Sequence, residues 1–105
     1  MKILWAQRAY DSLADILDYS EGSFGHKQAE RIEERILTAI ERLRVFPASC
    51  AVIPEISNDL TKYRKLVISH EISVIYRAEE DAIRIDFIWD IRRSLHQIYY
   101  IIKTS

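Results

Sequence analysis

Side chains able to do chemistry are sparse in this sequence, and the densest group of them is basic. Lys62, Arg64 and Lys65 lie almost side by side, and Arg77, Arg84, Arg92 and Arg93 follow. Ammonium and guanidinium groups at such spacing bind anions, phosphate or carboxylate. Residues 61–105 carry eight Lys and Arg against six Asp and Glu, whereas residues 1–60 carry seven against ten. An anion-binding patch therefore belongs to the C-terminal half. It is a modest patch, because the whole chain has a net charge of -1 and a sequence pI near 6.3. Chains that hold nucleic acid mainly through phosphates are usually basic.

Other candidate groups carry less. His26, His70 and His96 share no metal-ligating spacing; His70 reads as a turn residue and His96 as a solvated or tail-packed side chain. Cys50 is the single cysteine, which excludes an internal disulfide and a cysteine-based zinc cage. That fits a reducing compartment, and no cofactor or metal is expected. Tyr99 and Tyr100 can stack on bases, although an apolar tail docking on its own domain or on a partner accounts for them as well.

The elements that must position these groups are legible from periodicity. Three apolar runs, Leu66 to Ile68, Ile72 to Tyr76 and Ile83 to Trp89, are rich in Ile, Val and aromatics and separated by short polar clusters. Connections this short permit only hairpins, since a parallel crossover needs a dozen or more residues. The runs predict a three-stranded antiparallel meander. By alternation, Ile83, Ile85, Phe87 and Trp89 share one face, and Ala82, Arg84, Asp86 and Ile88 the other. Lys2 to Trp5 reads as a strand added at the meander's edge. Ala6 to Ser20 has helical spacing and ends in Glu21 to Gly25; a second helix runs from about His26 to Val45, with Pro47 after it.

The expected fold is α+β, an antiparallel sheet (N-terminal strand plus meander) covered on one face by an antiparallel helical hairpin. The hairpin spans about 6–46 and the meander about 61–90 of a single domain of 105 residues. Residues 94–105 form an apolar tail, read either as docked on its own domain or as a contact surface. No apolar run approaches the ~18 residues of a membrane span, and the N-terminus shows no secretory signal pattern.

Specific residues now bear on that order of elements. Leu4-Trp5 leads into Arg8-Ala9, Leu13, Ile16 and Asp18-Tyr19; Ile36, Ile40 and Leu43 lead into Phe46-Pro47. Ile53-Pro54-Glu55, Tyr63-Arg64-Lys65-Leu66, Val74-Ile75-Tyr76-Arg77 and Trp89-Asp90-Ile91-Arg92 follow in turn. In this order the chain resembles the RelE/ParE superfamily of type II toxin–antitoxin toxins, nearer its ParE-like, plasmid-stabilisation members. The resemblance implies a cytoplasmic bacterial protein that inhibits growth and is neutralised by a cognate antitoxin. ParE-like members bind DNA gyrase; RelE-like members cut mRNA on the ribosome. A homodimer through the apolar tail is a further expectation.

For a metal-free ribonuclease the chemistry needs a base for the 2′-hydroxyl, a cation for the phosphorane and an acid for the leaving oxygen. By resemblance, Glu55 matches the loop glutamate, and Arg64 and Arg92 are the cations available. The strand arginine of the family's nucleases is replaced by Ser73, and the His-Tyr pair by Ile91-Arg92. Glu55, Arg64 and Arg92 are therefore catalytic candidates only under the nuclease reading, and enzyme activity stays open at this point. Lys62, Lys65, Arg77, Trp89, Asp90 and Arg93 are the binding candidates. Five of them have a structural role open to them as well: Glu55 as a backbone cap, Arg64 in a cross-strand pair, Arg92 with Asp90 at the sheet's end, Trp89 in packing.

Overall fold

The apolar spacing of the first half produces two helices, α1 (Gln7–Phe24) and α2 (His26–Arg42). Residues 1–90 are described by the computed structural model; Ile91, Arg92, Arg93 and the expected tail at 94–105 lie outside the described residues. Helix α1 runs through Glu21, Gly22 and Ser23, where the sequence suggested a stop, and ends at Gly25. Gly25 has φ 91 and donates its N–H to the Glu21 carbonyl at 3.0 Å. A side chain is disfavoured at that φ, so one glycine suffices to break α1 and start α2. Helix α2 stops at Arg42, three residues short of the expected end, and the chain turns through Leu43 to Val45.

The sheet has five strands in the order β1-β5-β4-β3-β2. Strands β3 (Arg64–Val67), β4 (Ile72–Ala78) and β5 (Ala82–Asp90) form the expected meander. Two features differ from expectation. Strand β1 (Lys2–Trp5) joins β5 in parallel, so the sheet is mixed rather than antiparallel. Strand β2 (Ala51–Val52), in the stretch between the expected hairpin and meander, extends the other edge by pairing with Lys65 and Arg64. Neither strand's pairing partner is written in its own few residues; orientation follows from where the helical hairpin returns the chain.

Helix α1 also finishes the edge that β1 leaves open. Beyond Ile85, β5 has no strand on that side among the described residues, and its backbone groups meet side chains of α1. Arg8 Nε donates to the Asp86 carbonyl at 3.1 Å, and the Ile88 N–H donates to Ser12 Oγ at 2.9 Å. Ser12 is buried, and its hydroxyl donates to the Ala9 carbonyl at 3.0 Å. A buried N–H without a partner costs about 1–3 kcal/mol, so this substitution for a ladder bond keeps the edge dry.

The core under the helices joins Ala9, Ile16, Ile36, Ile40 and Leu43 to Val74, Tyr76, Ile83, Ile85 and Ile88. Full burial of each large aliphatic side chain contributes about 1.5–3 kcal/mol. A second, smaller core of Ile53, Ile56, Ile75 and Phe87, flanked by Tyr63 and Trp89, lies apart from it. Here the alternation expected for β5 fails. Ile75 pairs with Phe87 and Tyr76 with Ile85, which leaves Asp86 as an extra residue, a β-bulge. Ile83 and Ile85 face the helices, but past the bulge Ile88 takes that face and Phe87 and Trp89 go to the other. One inserted residue reverses every side chain after it.

The loop that covers the second core is closed by its own polar residues. Asn58 Oδ1 accepts from the N–H groups of Leu60 and Thr61, both at 2.8 Å. Ser57 Oγ donates to the Ile53 carbonyl at 2.6 Å and accepts from the Tyr63 N–H at 3.0 Å. A 3-10 turn at Pro54–Ile56 then drops Ile56 onto the sheet.

Candidate functional site

Among the described residues neither α1 nor α2 covers the sheet's second face, and β3, β4 and β5 carry the candidate residues onto it. Lys65 pairs with Ile75, Ser73 with both Val67 and Trp89, and Ile75 with Phe87. Side chains of alternate residues share a face, so Lys65, Ser73 and Trp89 come together around a cleft of about 160 Å³. Ser69, His70 and Glu71 of the β3–β4 turn close its end. The Lys65 ammonium sits 4.7 Å from the centroid of the Trp89 ring. Such a cation–π contact orients the charge and shields one side of it. Ser73 is 7% exposed and lines the cleft.

Neighbouring residues on β3 point to opposite faces, and this divides the basic cluster. Arg64 turns toward the helix side, where its Nη1 donates to the carbonyls of Cys50 at 2.7 Å and Ala48 at 3.3 Å. It holds the 47–50 segment together with Tyr76, whose hydroxyl donates to the Pro47 carbonyl at 2.9 Å. Burial, and then the neighbouring Cys50 thiol, push the Tyr76 phenol well above its ordinary value, while the Arg64 charge pulls the other way. Lys62 is exposed and borders a polar depression with Thr61, Arg77 and Glu79. Glu55 is exposed on the 3-10 turn. Asp90 is buried at the end of β5, opposite Ile72.

Arg77 belongs to a network that sequence reading did not single out. The bulged residue Asp86 is 1% exposed. Its Oδ1 lies 3.2 Å from Arg8 Nη2, and its Oδ2 lies 3.4 Å from Arg77 Nε, within ion-pair distance but outside hydrogen-bond geometry. Arg77 and Arg84 share Glu79, at 3.6 and 2.9 Å. Burial raises the Asp86 carboxyl above its ordinary value, and Arg77, Arg8 and Arg84 only partly offset that. The available signal was a lone aspartate inside the apolar run Ile83 to Trp89, with Arg77 in the neighbouring strand.

The two described catalytic candidates, Glu55 and Arg64, are thus not gathered. Arg64 is on the helix side, Glu55 on the turn, and Arg92 and Arg93 lie outside the described residues. Lys65 and Trp89 do meet, on the face that also holds Ser73. No group of three or more His, Cys, Asp or Glu among the described residues is arranged to hold a metal ion.

With this architecture in view, comparison with known proteins decides the family. The sequence profile of the ParE toxin of type II toxin-antitoxin system, parDE, matches residues 3–101. The chain belongs to the ParE toxin family. The fold agrees with solved structures of similar proteins. A chain of the chromosomal ParDE TA system from P. aeruginosa superposes with a TM-score of 0.70 at 21% identity, over 86% of this chain and 95% of that one. A YoeB/ParE toxin from Agrobacterium tumefaciens superposes with a TM-score of 0.53 at 15% identity, over 86% of this chain and 98% of that one. No curated protein matches the sequence. At these identities the likeness carries the fold, and the family assignment carries the toxin–antitoxin context. No described helix is long and apolar enough to cross a membrane.

Proposed function

We propose that this ParE-family chain is a growth-inhibiting toxin that works by binding a protein target in the cytoplasm, with DNA gyrase as that target. On this reading a cognate antitoxin holds it inactive. The observation that supports binding over RNA cleavage is the occupation of two arginines of the basic cluster, one of them Arg64, a cation named for phosphate chemistry. Arg64 is spent on two backbone carbonyls, and Arg77 on Asp86 and Glu79. Ser73, which cannot supply a positive charge, occupies the strand position where the resemblance calls for the nuclease arginine. The apolar segment 94–105 is the part of the sequence proposed for contact with a second copy or with the antitoxin.

The test is induced expression without antitoxin, followed by primer extension on abundant messages and a supercoiling assay with purified gyrase. Growth arrest with intact messages and blocked supercoiling is the expected result, unchanged by Glu55→Gln. Codon-positioned cuts that vanish in an Arg92→Ala variant would replace this reading with a ribosome-dependent ribonuclease.

A further inference from the structure

The cleft between Lys65, Ser73 and Trp89 has a polarity of its own. Lys65 makes its cation–π contact with Trp89 and no ion pair among the described residues. Ser73 is nine-tenths buried, lines the cleft, and makes no side-chain hydrogen bond among the described residues. Ser69 Oγ already accepts from the N–H groups of Glu71 and Ile72, both at 3.3 Å, so its own proton is left to donate. An ammonium and two hydroxyls thus line one cleft as donors, with Glu71 at its rim as the one carboxylate among the lining residues. We propose that the cleft takes a single carboxylate from the target protein, held by Lys65 and Ser73 against the Trp89 wall. This rests on the reading that the chain acts on a protein.

Glu71 limits the charge of the ligand. It lines the same cleft at its exposed rim, so an anion entering meets one positive and one negative group. Lys65 can neutralise one negative charge, which suits a monoanionic carboxylate, whereas a phosphate of charge near −1.5 to −2 is left with negative charge that no lining residue matches. The aromatic face beside the donors suits the short apolar stem of an aspartate or glutamate. A nucleic-acid strand, with many phosphates and Lys65 as the one cation among the described lining residues, is the poorer fit to a chain of net charge -1.

The experiment uses the full chain and reads the Trp89 indole N–H by NMR; Trp5→Phe assigns the resonance, since the sequence holds two tryptophans. At fixed ionic strength, the blocked tripeptide acetyl-Gly-Asp-Gly-amide shifts the Trp89 signal dose-dependently, and its Asn counterpart does not. Lys65→Met abolishes the shift, Ser73→Ala weakens binding roughly tenfold through loss of a charge-assisted hydrogen bond, and Glu71→Gln strengthens it. Folding of each variant is checked by circular dichroism. Equal shifts with the Asp and Asn peptides overturn the proposal, as does a larger response to inorganic phosphate or to oligouridylate. In the supercoiling assay Lys65→Met loses inhibition. If wild type inhibits gyrase and Lys65→Met inhibits equally, the carboxylate site is overturned and the gyrase reading stands. If wild type leaves gyrase untouched, that target is lost, and the peptide titration still decides the cleft.

Discussion

Replacing Asp86 with asparagine separates two accounts of the buried network at the bulge. Counting contacts, Asp86 looks stabilising: it lies 3.2 Å from Arg8 and 3.4 Å from Arg77. Breaking a buried pair by removing one partner typically costs about 3–5 kcal/mol. The geometry argues for less. The Asp86 side chain is 2% exposed, whereas those of Arg8 and Arg77 are 21% and 31% exposed and stay partly hydrated without it. One Asp86 oxygen accepts no hydrogen bond. Desolvation of the carboxylate therefore outweighs what the arginines return, and the carboxyl is raised above its ordinary value of 3.8.

Asparagine keeps the shape and an acceptor for Arg8 while removing the buried charge. Asp86→Asn should fall within about 1 kcal/mol of wild type near neutral pH, whereas Asp86→Ala, which leaves a void and no acceptor, should lose about 3 kcal/mol. The sign of the pH dependence follows. A carboxyl raised in the folded state contributes stability that is present below its unfolded value and lost as pH rises through the folded one. Wild-type stability minus that of Asp86→Asn should therefore shrink as pH climbs from about 4 to about 7. Urea unfolding of both proteins across that range measures it. A gap that widens with pH, or an asparagine variant that loses ~3 kcal/mol at neutral pH, would show that the arginines dominate and refute the argument.

Three further substitutions probe the frame that carries the outer face. Ser12→Ala leaves the Ile88 N–H without its acceptor and should cost about 1–3 kcal/mol by denaturant unfolding; hydrogen exchange at Ile88 should accelerate with it. Gly25→Ala places a side chain at φ 91 and ψ 167 between the helices, a conformation essentially confined to glycine, and should destabilise by about 1–3 kcal/mol in urea unfolding; an unchanged stability would refute this. Tyr76→Phe removes the bond to the Pro47 carbonyl at a cost of about 1 kcal/mol. Because the phenol is raised in the folded state, wild type should lose stability as pH rises past the ordinary tyrosine value near 10, and Tyr76→Phe should lose less.

Local patterns determined the elements. The spacing of Ile16, Ile36 and Ile40 fixed helices whose apolar stripes had to meet a sheet, and the short polar breaks between Leu66 and Trp89 left only hairpins to join β3, β4 and β5. Both follow from interactions between residues close in sequence, where period and connection length leave few options. The family, too, was written in short motifs spread along the chain, from Arg8-Ala9 to Trp89-Asp90. What surrounds each candidate residue was a matter of tertiary structure. Arg64 and Lys65 are adjacent in sequence, yet one is spent on the Ala48 and Cys50 carbonyls and the other opens onto a cleft. Strict alternation sent Phe87 and Trp89 toward the helices; the unpaired Asp86 reversed them and thereby built the outer face. The parallel seating of β1 beside β5 is of the same kind. A bulge and an edge pairing are set by how distant strands and α1 compete for the same backbone groups, and no period within a single strand records the outcome of that competition.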